Sequence, residues 1–118
     1  MPRQKVAGTM RERKRRERLL AQLPDLRKVL RGSLVTRFRR CGRKACHCAL
    51  EGDPGHGPAY YLMITVGTGN TVQIYVPREH KEEVETWIEN FQRVRQTLEE
   101  ISAMNRGLLK QGKLFPGG

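Results

Sequence analysis

Three cysteines fall within eight residues, Cys41-Gly42-Arg43-Lys44-Ala45-Cys46-His47-Cys48, and a histidine follows in Gly55-His56-Gly57-Pro58. Residues 41–58 are so rich in Gly, Pro, Cys and His that they read as a loop with no core of its own, which something must hold. Three soft thiolates and one imidazole make a closed tetrahedral set, the usual composition of a structural zinc site. The expected ligands are Cys41, Cys46, Cys48 and His56. His56 is preferred to His47, because Cys46-His47-Cys48 would crowd three consecutive ligands onto one ion. Gly42 lets the chain turn behind the first thiolate, and Gly55 and Gly57 allow close backbone approach. Arg40, Arg43 and Lys44 favour thiolate over thiol.

Other uses of these cysteines fit less well. An odd number in a chain read as cytoplasmic argues against a disulfide framework. The spacings C-x4-C and C-x-C are not the C-x-x-C of oxidoreductases, and a polar loop is a poor place for cysteines packing as small hydrophobes. A catalytic zinc needs an open position and a base; Glu51 and Asp53 are near in sequence, but no motif places them. No nucleophile–base pair or phosphate loop is visible, so no enzyme is expected. His80, at the start of a helix, reads as a surface residue.

Around this loop the pattern is α+β. Residues 1–9 read as disordered. From Met10 the pattern is helical, with a leucine stripe at Leu19, Leu23, Leu26 and Leu30, a kink or restart at Pro24-Asp25 and a stop at Gly32. Residues 33–40 alternate as a strand, with Leu34, Thr36 and Phe38 on one side and Val35, Arg37 and Arg39 on the other. Residues 59–66 and 71–76 read as a hairpin joined through Gly67-Thr68-Gly69-Asn70. Pro77 opens a long helix over residues 78–110, with Glu79, Glu82, Glu83 and Glu85 at its positive end. Along it Val84, Phe91, Leu98 and Asn105 repeat every seven residues, as do Trp87, Val94, Ile101 and Leu108. That is an a/d seam, and a lone Asn at an a position suits a two-stranded coiled coil. Homodimerisation through Leu98, Ile101, Asn105 and Leu108 is therefore expected. The boundaries are a basic arm and helix over 1–31, a zinc-binding β module over 32–77, a dimerising helix over 78–112 and a disordered tail over 113–118.

Charge points to the partner. Residues 1–50 hold 16 Lys and Arg against Glu12, Glu17 and Asp25, a balance of +13; residues 51–118 hold 7 against 9 acids, a balance of −2; the net charge is +11. Solubility does not require so uneven a split, and a basic half suits a polyanion. The expected nucleic-acid contacts are Arg11, Arg13, Lys14, Arg15, Arg16 and Arg18 on the first helix, and Arg37, Arg39, Arg40, Arg43 and Lys44 around the loop. No apolar run is long enough for a membrane span, and the amino terminus carries no secretory signal.

The combination Gly32-Ser33-Leu34-Val35, Arg39-Arg40-Cys41-Gly42, Cys46-His47-Cys48, Gly55-His56-Gly57-Pro58-Ala59-Tyr60-Tyr61 and Tyr75-Val76-Pro77 resembles a prokaryotic family known only as a domain of unknown function. Its members are small proteins often encoded near transposases or other mobile-element genes. The resemblance covers about residues 32–110. Ala59 stands where the family usually has an aromatic residue after G-H-G-P. The resemblance implies the same Cys/His set and supplies no activity. The expectation is thus a cytoplasmic, zinc-containing nucleic-acid-binding protein, DNA favoured over RNA, serving as an accessory or regulatory factor of a mobile element and possessing a partner encoded there. The alternative is a zinc and coiled-coil adaptor between proteins, or an RNA-binding protein.

Overall fold

The structure is a computed structural model that describes residues 10–113. The expected disorder over residues 1–9 and beyond residue 113 lies outside the described residues. The fold is α+β. Helix α1 (Met10–Ala21) is followed by strands β1 (Ser33–Arg39), β2 (His56–Val66) and β3 (Asn70–Val76), and then by helix α2 (Lys81–Lys110). Short 3-10 turns at His47–Ala49 and Arg78–His80 complete the elements. The chain groups into two compact units, one from Val29 to Glu89 and the other made of residues up to Lys28 and from Asn90 onward.

The sheet unit is an antiparallel β1-β2-β3 meander. Opposed residues share a face, so the register sorts the side chains. Leu34, Leu62 and Ile74 lie on one face with Thr36, Tyr60 and Val76; Val35, Tyr61 and Tyr75 lie on the other with Arg37 and Ala59. The first face builds the core. Leu62, Val76 and Ile88 are buried, with Leu30, Leu34, Tyr60 and Val84 packed around them. Three such side chains give about 1.5–3 kcal/mol each, a thin core for a three-stranded sheet. Lys81 Nζ sits 5.2 Å from the Tyr60 ring centroid and adds a cation–π contact at the rim.

The first helix is shorter than its leucine stripe implies. It ends at Ala21, and residues 22–32 are not helical. Pro24 has no N–H to donate and disfavours helical geometry at Leu23. Asp25 then forms a local turn: its Oδ1 accepts from the Arg27 N–H at 3.0 Å and its carbonyl from the Lys28 N–H at 2.9 Å. Leu30 leaves the stripe, donates its backbone N–H to the Trp87 carbonyl at 3.0 Å and joins the sheet core.

In the helical unit Arg15 pairs with Glu100 at 3.0 Å, and the Asn90 side chain donates to the Lys28 carbonyl at 2.9 Å. Thr97 and Leu108 of α2 are buried while Leu98 is 59% exposed and Asn105 is exposed. The covered side of this stretch runs through Thr97, Ile101, Met104 and Leu108, so Thr97 and Met104 take the places expected of Leu98 and Asn105. The seam expected to face a partner is corrected accordingly: Leu108 is only 2% exposed within one chain, and Ile101 is half-buried. Among the described residues no helix is long and apolar enough to cross a membrane.

Candidate metal centre

The four expected ligands meet. Cys41, Cys46, Cys48 and His56 each offer one ligand atom, and these atoms lie within 4.8 Å of one another. Cys41 Sγ is 3.6 Å from Cys48 Sγ, and Cys46 Sγ is 3.1 Å from His56 Nε2. The loop between β1 and β2 brings three of them in, and the 3-10 turn His47–Ala49 buries Cys48 to 1% exposure. His56 comes from the first residue of β2, opposite Arg39. The strand begins three residues earlier than its Tyr/Ile/Val-rich stretch suggests, so this ligand is set by the sheet ladder and not by a loop.

His47 is held elsewhere. Its Nδ1 lies 3.1 Å from Asp53 Oδ2, and its ring meets that of His56 edge-on with centroids 4.9 Å apart. Asp53 is a residue whose part the sequence reading missed. Its Oδ1 accepts the Gly55 N–H at 2.7 Å, and its carbonyl accepts Arg40 Nη2 at 2.6 Å. The Gly55 N–H, then His47, hold its carboxyl below the usual carboxylate range. The Asp53-Pro54-Gly55 turn signature was the available clue.

Backbone N–H groups point at sulfur, which favours thiolate. The Cys41 N–H donates to Cys48 Sγ at 3.4 Å. The Arg43 N–H, followed by His56, brings the Cys41 thiol down to about 6. At Cys46 the Cys48 N–H acts in the same direction, but burial and the neighbouring Cys48 and Cys41 sulfurs outweigh it and push the thiol up. Cys41 is thus poised to ionise ahead of Cys46.

The glycines beside His56 are sterically required. Gly55 has φ +96°, and a Cβ there would stand 2.7 Å from the Arg39 carbonyl oxygen; at Gly57, with φ +148°, it would stand 2.8 Å from that of Arg37. Gly42 also has a positive φ, +84°, but faces open space. Gly55→Ala is expected to lower the stability of the sheet unit by more than the about 1–3 kcal/mol of backbone strain alone, whereas Gly42→Ala costs only that strain. Thermal melts of the two variants check the order.

The basic residues divide between the units. Arg39, Arg40, Arg43 and Lys44 are exposed around the metal cluster, and Arg37 is exposed on β1 with its guanidinium 5.8 Å from the Tyr61 centroid. Arg11, Lys14 and Arg18 are exposed on α1 in the helical unit. Arg16 is only 8% exposed and Arg13 is half-buried. Arg13 and Arg16, two of the expected contacts, thus lie on the covered face of the helix, which runs through Glu12, Arg13, Arg16 and Leu19, since residues three and four apart share a helix face.

A family model described as Domain of unknown function (DUF6788) matches residues 9–86. The chain belongs to this family. No curated protein and no solved structure matches it. The DUF6788 segment takes in α1, the whole sheet and the Cys3His cluster, and it stops at Thr86, six residues into α2. The remainder of the long helix, with the heptad positions from Trp87 onward, lies outside it.

Proposed function

We propose that this DUF6788 protein is a non-enzymatic nucleic-acid-binding protein organised by one structural zinc ion. The observation that carries the reading is that Arg39, Arg40, Arg43 and Lys44, all exposed, sit on the strand end and loop that the Cys3His cluster ties together. Holding the loop therefore fixes an array of cations, and fixed cations contact phosphates at little ordering cost. Zinc is favoured by the donor set and by the fit. A tetrahedral ion with Zn–S bonds of about 2.3 Å keeps its sulfurs about 3.8 Å apart, close to the Cys41–Cys48 separation of 3.6 Å. Four protein ligands leave no open position for substrate, and both Asp53 carboxylate oxygens are engaged, which supports a structural role.

Duplex DNA is favoured as the polymer, with α1 supplying further contacts through Arg11, Lys14 and Arg18. The resemblance to proteins encoded beside mobile elements makes an accessory or regulatory factor of such an element the biological role, in the cytoplasm. Protein purified without nuclease is expected to carry nucleic acid, identified by sequencing what elutes with it. Protein that is free of nucleic acid and fails to bind random-sequence DNA at low salt supports the adaptor reading instead. Homodimerisation rests on Leu98 and Asn105, which are exposed, with Ile101 contributing in part; a monomer by light scattering at micromolar concentration removes it.

A further inference from the structure

The sheet has a second face, and its composition differs from that of the core face. The register places Val35 and Arg37 of β1, Ala59, Tyr61 and Met63 of β2, and Gln73 and Tyr75 of β3 on it, and none of its residues is acidic. No residue on it is buried, and Tyr75 is 59% exposed. A large aromatic side chain left this open, on edge strand β3, has no packing role to explain it. Tyr61 stands directly opposite Tyr75, with ring centroids 5.7 Å apart and planes at 68°. The Arg37 guanidinium lies over Tyr61 on its other side. Beside this row a hollow of about 340 Å³ is lined by Arg37, Phe38, Arg39, His56, Ala59 and Tyr61.

We infer that this face binds single-stranded nucleic acid, with unpaired bases stacked on Tyr61 and Tyr75 and the backbone following Arg37 and Arg39 toward the metal-held loop. The inference rests on the nucleic-acid reading above and adds to its phosphate contacts a second face that takes unpaired bases. The chemistry fits for three reasons. Bases inside a duplex present only edges and phosphates, so exposed rings on a flat sheet gain little from them, whereas splayed bases offer faces to stack on. Adjacent strands hold the two rings on a rigid platform, which lowers the ordering cost of binding. The charge on the face's own strands is positive, with Arg37 beside Tyr61 and no carboxylate among the strand residues, which suits a phosphate chain.

The experiment uses the full chain loaded with zinc and a fluorescein-labelled single-stranded DNA oligonucleotide of mixed sequence. The same DNA annealed to its complement and an RNA of the same sequence serve as comparison probes. Stacking on an aromatic side chain is worth enough that Tyr75→Ala is expected to weaken single-strand binding roughly five- to 150-fold. Tyr75→Phe keeps the ring and is expected to bind like wild type. Duplex affinity is expected to be the same in all three proteins. Because Tyr75 is largely exposed, zinc content and melting temperature are expected to stay at wild-type values in both variants. Tyr61→Ala repeats the test at the paired position. Single-strand binding of DNA or RNA that Tyr75→Ala leaves unchanged, or that falls equally for duplex, overturns the stacking platform while nucleic-acid binding stands. Absence of binding to all three probes overturns both readings.

Discussion

Cys48→Ser protein is expected to purify without zinc and with a sheet unit that no longer melts cooperatively, whereas wild type carries about one zinc per chain. Cys48 is the most deeply placed ligand at 1% exposure, and its sulfur accepts the Cys41 N–H, so the loop loses both its ion and an internal contact. The effect is large because a site absent from the unfolded chain turns binding energy into folding energy, about 10–16 kcal/mol for structural zinc in small peptides. A core of Leu62, Val76 and Ile88 has little to offset such a loss. His56→Ala is expected to weaken zinc retention more than His47→Ala, since His47 is bonded to Asp53. Protons compete with the ion for the same atoms. Cys41 is lowered to about 6, so its thiolate is present above that value and lost as the pH falls through it. Affinity measured against a chelating dye is expected to fall with acidification throughout, and more steeply below about pH 6. Stoichiometric zinc in Cys48→Ser, by elemental analysis, would falsify the assignment.

The second large effect is on salt dependence. Each phosphate neutralised on duplex DNA contributes about 0.9 to the log–log slope of affinity against salt. Replacing Arg39, Arg43 and Lys44 together by Gln is expected to lower the slope by about 2.7 and to weaken binding to all sequences alike, because phosphate contacts carry no sequence information. All three are exposed and are not metal ligands, so zinc content is expected to hold. A triple Gln variant at Arg11, Lys14 and Arg18 measures the share of α1. Arg16→Gln belongs to a different category: at 8% exposure the residue is part of the packed unit, and the expected outcome is a lower melting temperature with the slope unchanged. An unaltered slope in the loop variant removes the loop from the interface.

The two results are linked through the loop. If zinc fixes the cations, then stripping the ion is expected to reduce affinity without removing any charge. An adaptor protein would show zinc-dependent folding with no such coupling. The distinction matters because a Cys3His cluster alone serves either use, and only the positions of Arg39, Arg40, Arg43 and Lys44 around it favour a polyanion.

Much of this molecule is legible in its sequence. The ligand set is short-range chemistry: three thiol donors in a loop with no core of its own, with an imidazole close behind them, have few alternatives, and neighbouring glycines mark where the backbone must come close. Strand alternation and the Gly-rich hairpin are likewise local, so the antiparallel meander and its two faces follow from period two. Where local signals compete, the sequence is ambiguous. The leucine stripe from Leu19 to Leu30 fits one helix face, yet Pro24 and the Asp25 turn end the helix at Ala21 and send Leu30 to the sheet core. The choice depends on where a leucine finds apolar partners, which periodicity does not contain. The same holds for the heptads of α2. The pattern offers Leu98 and Leu108 to one seam, but coverage within the chain buries Leu108 and leaves Leu98 in water. Tertiary structure alone decided which arginines are available, because burial of Arg16 depends on what packs against its face and not on the charge run that surrounds it. It also placed Tyr61 beside Tyr75: residues fourteen positions apart become neighbours only when the register of two strands is set. Chemistry carried by near neighbours was determined by the sequence, and the surfaces that neighbours distant in sequence create together were decided by the fold.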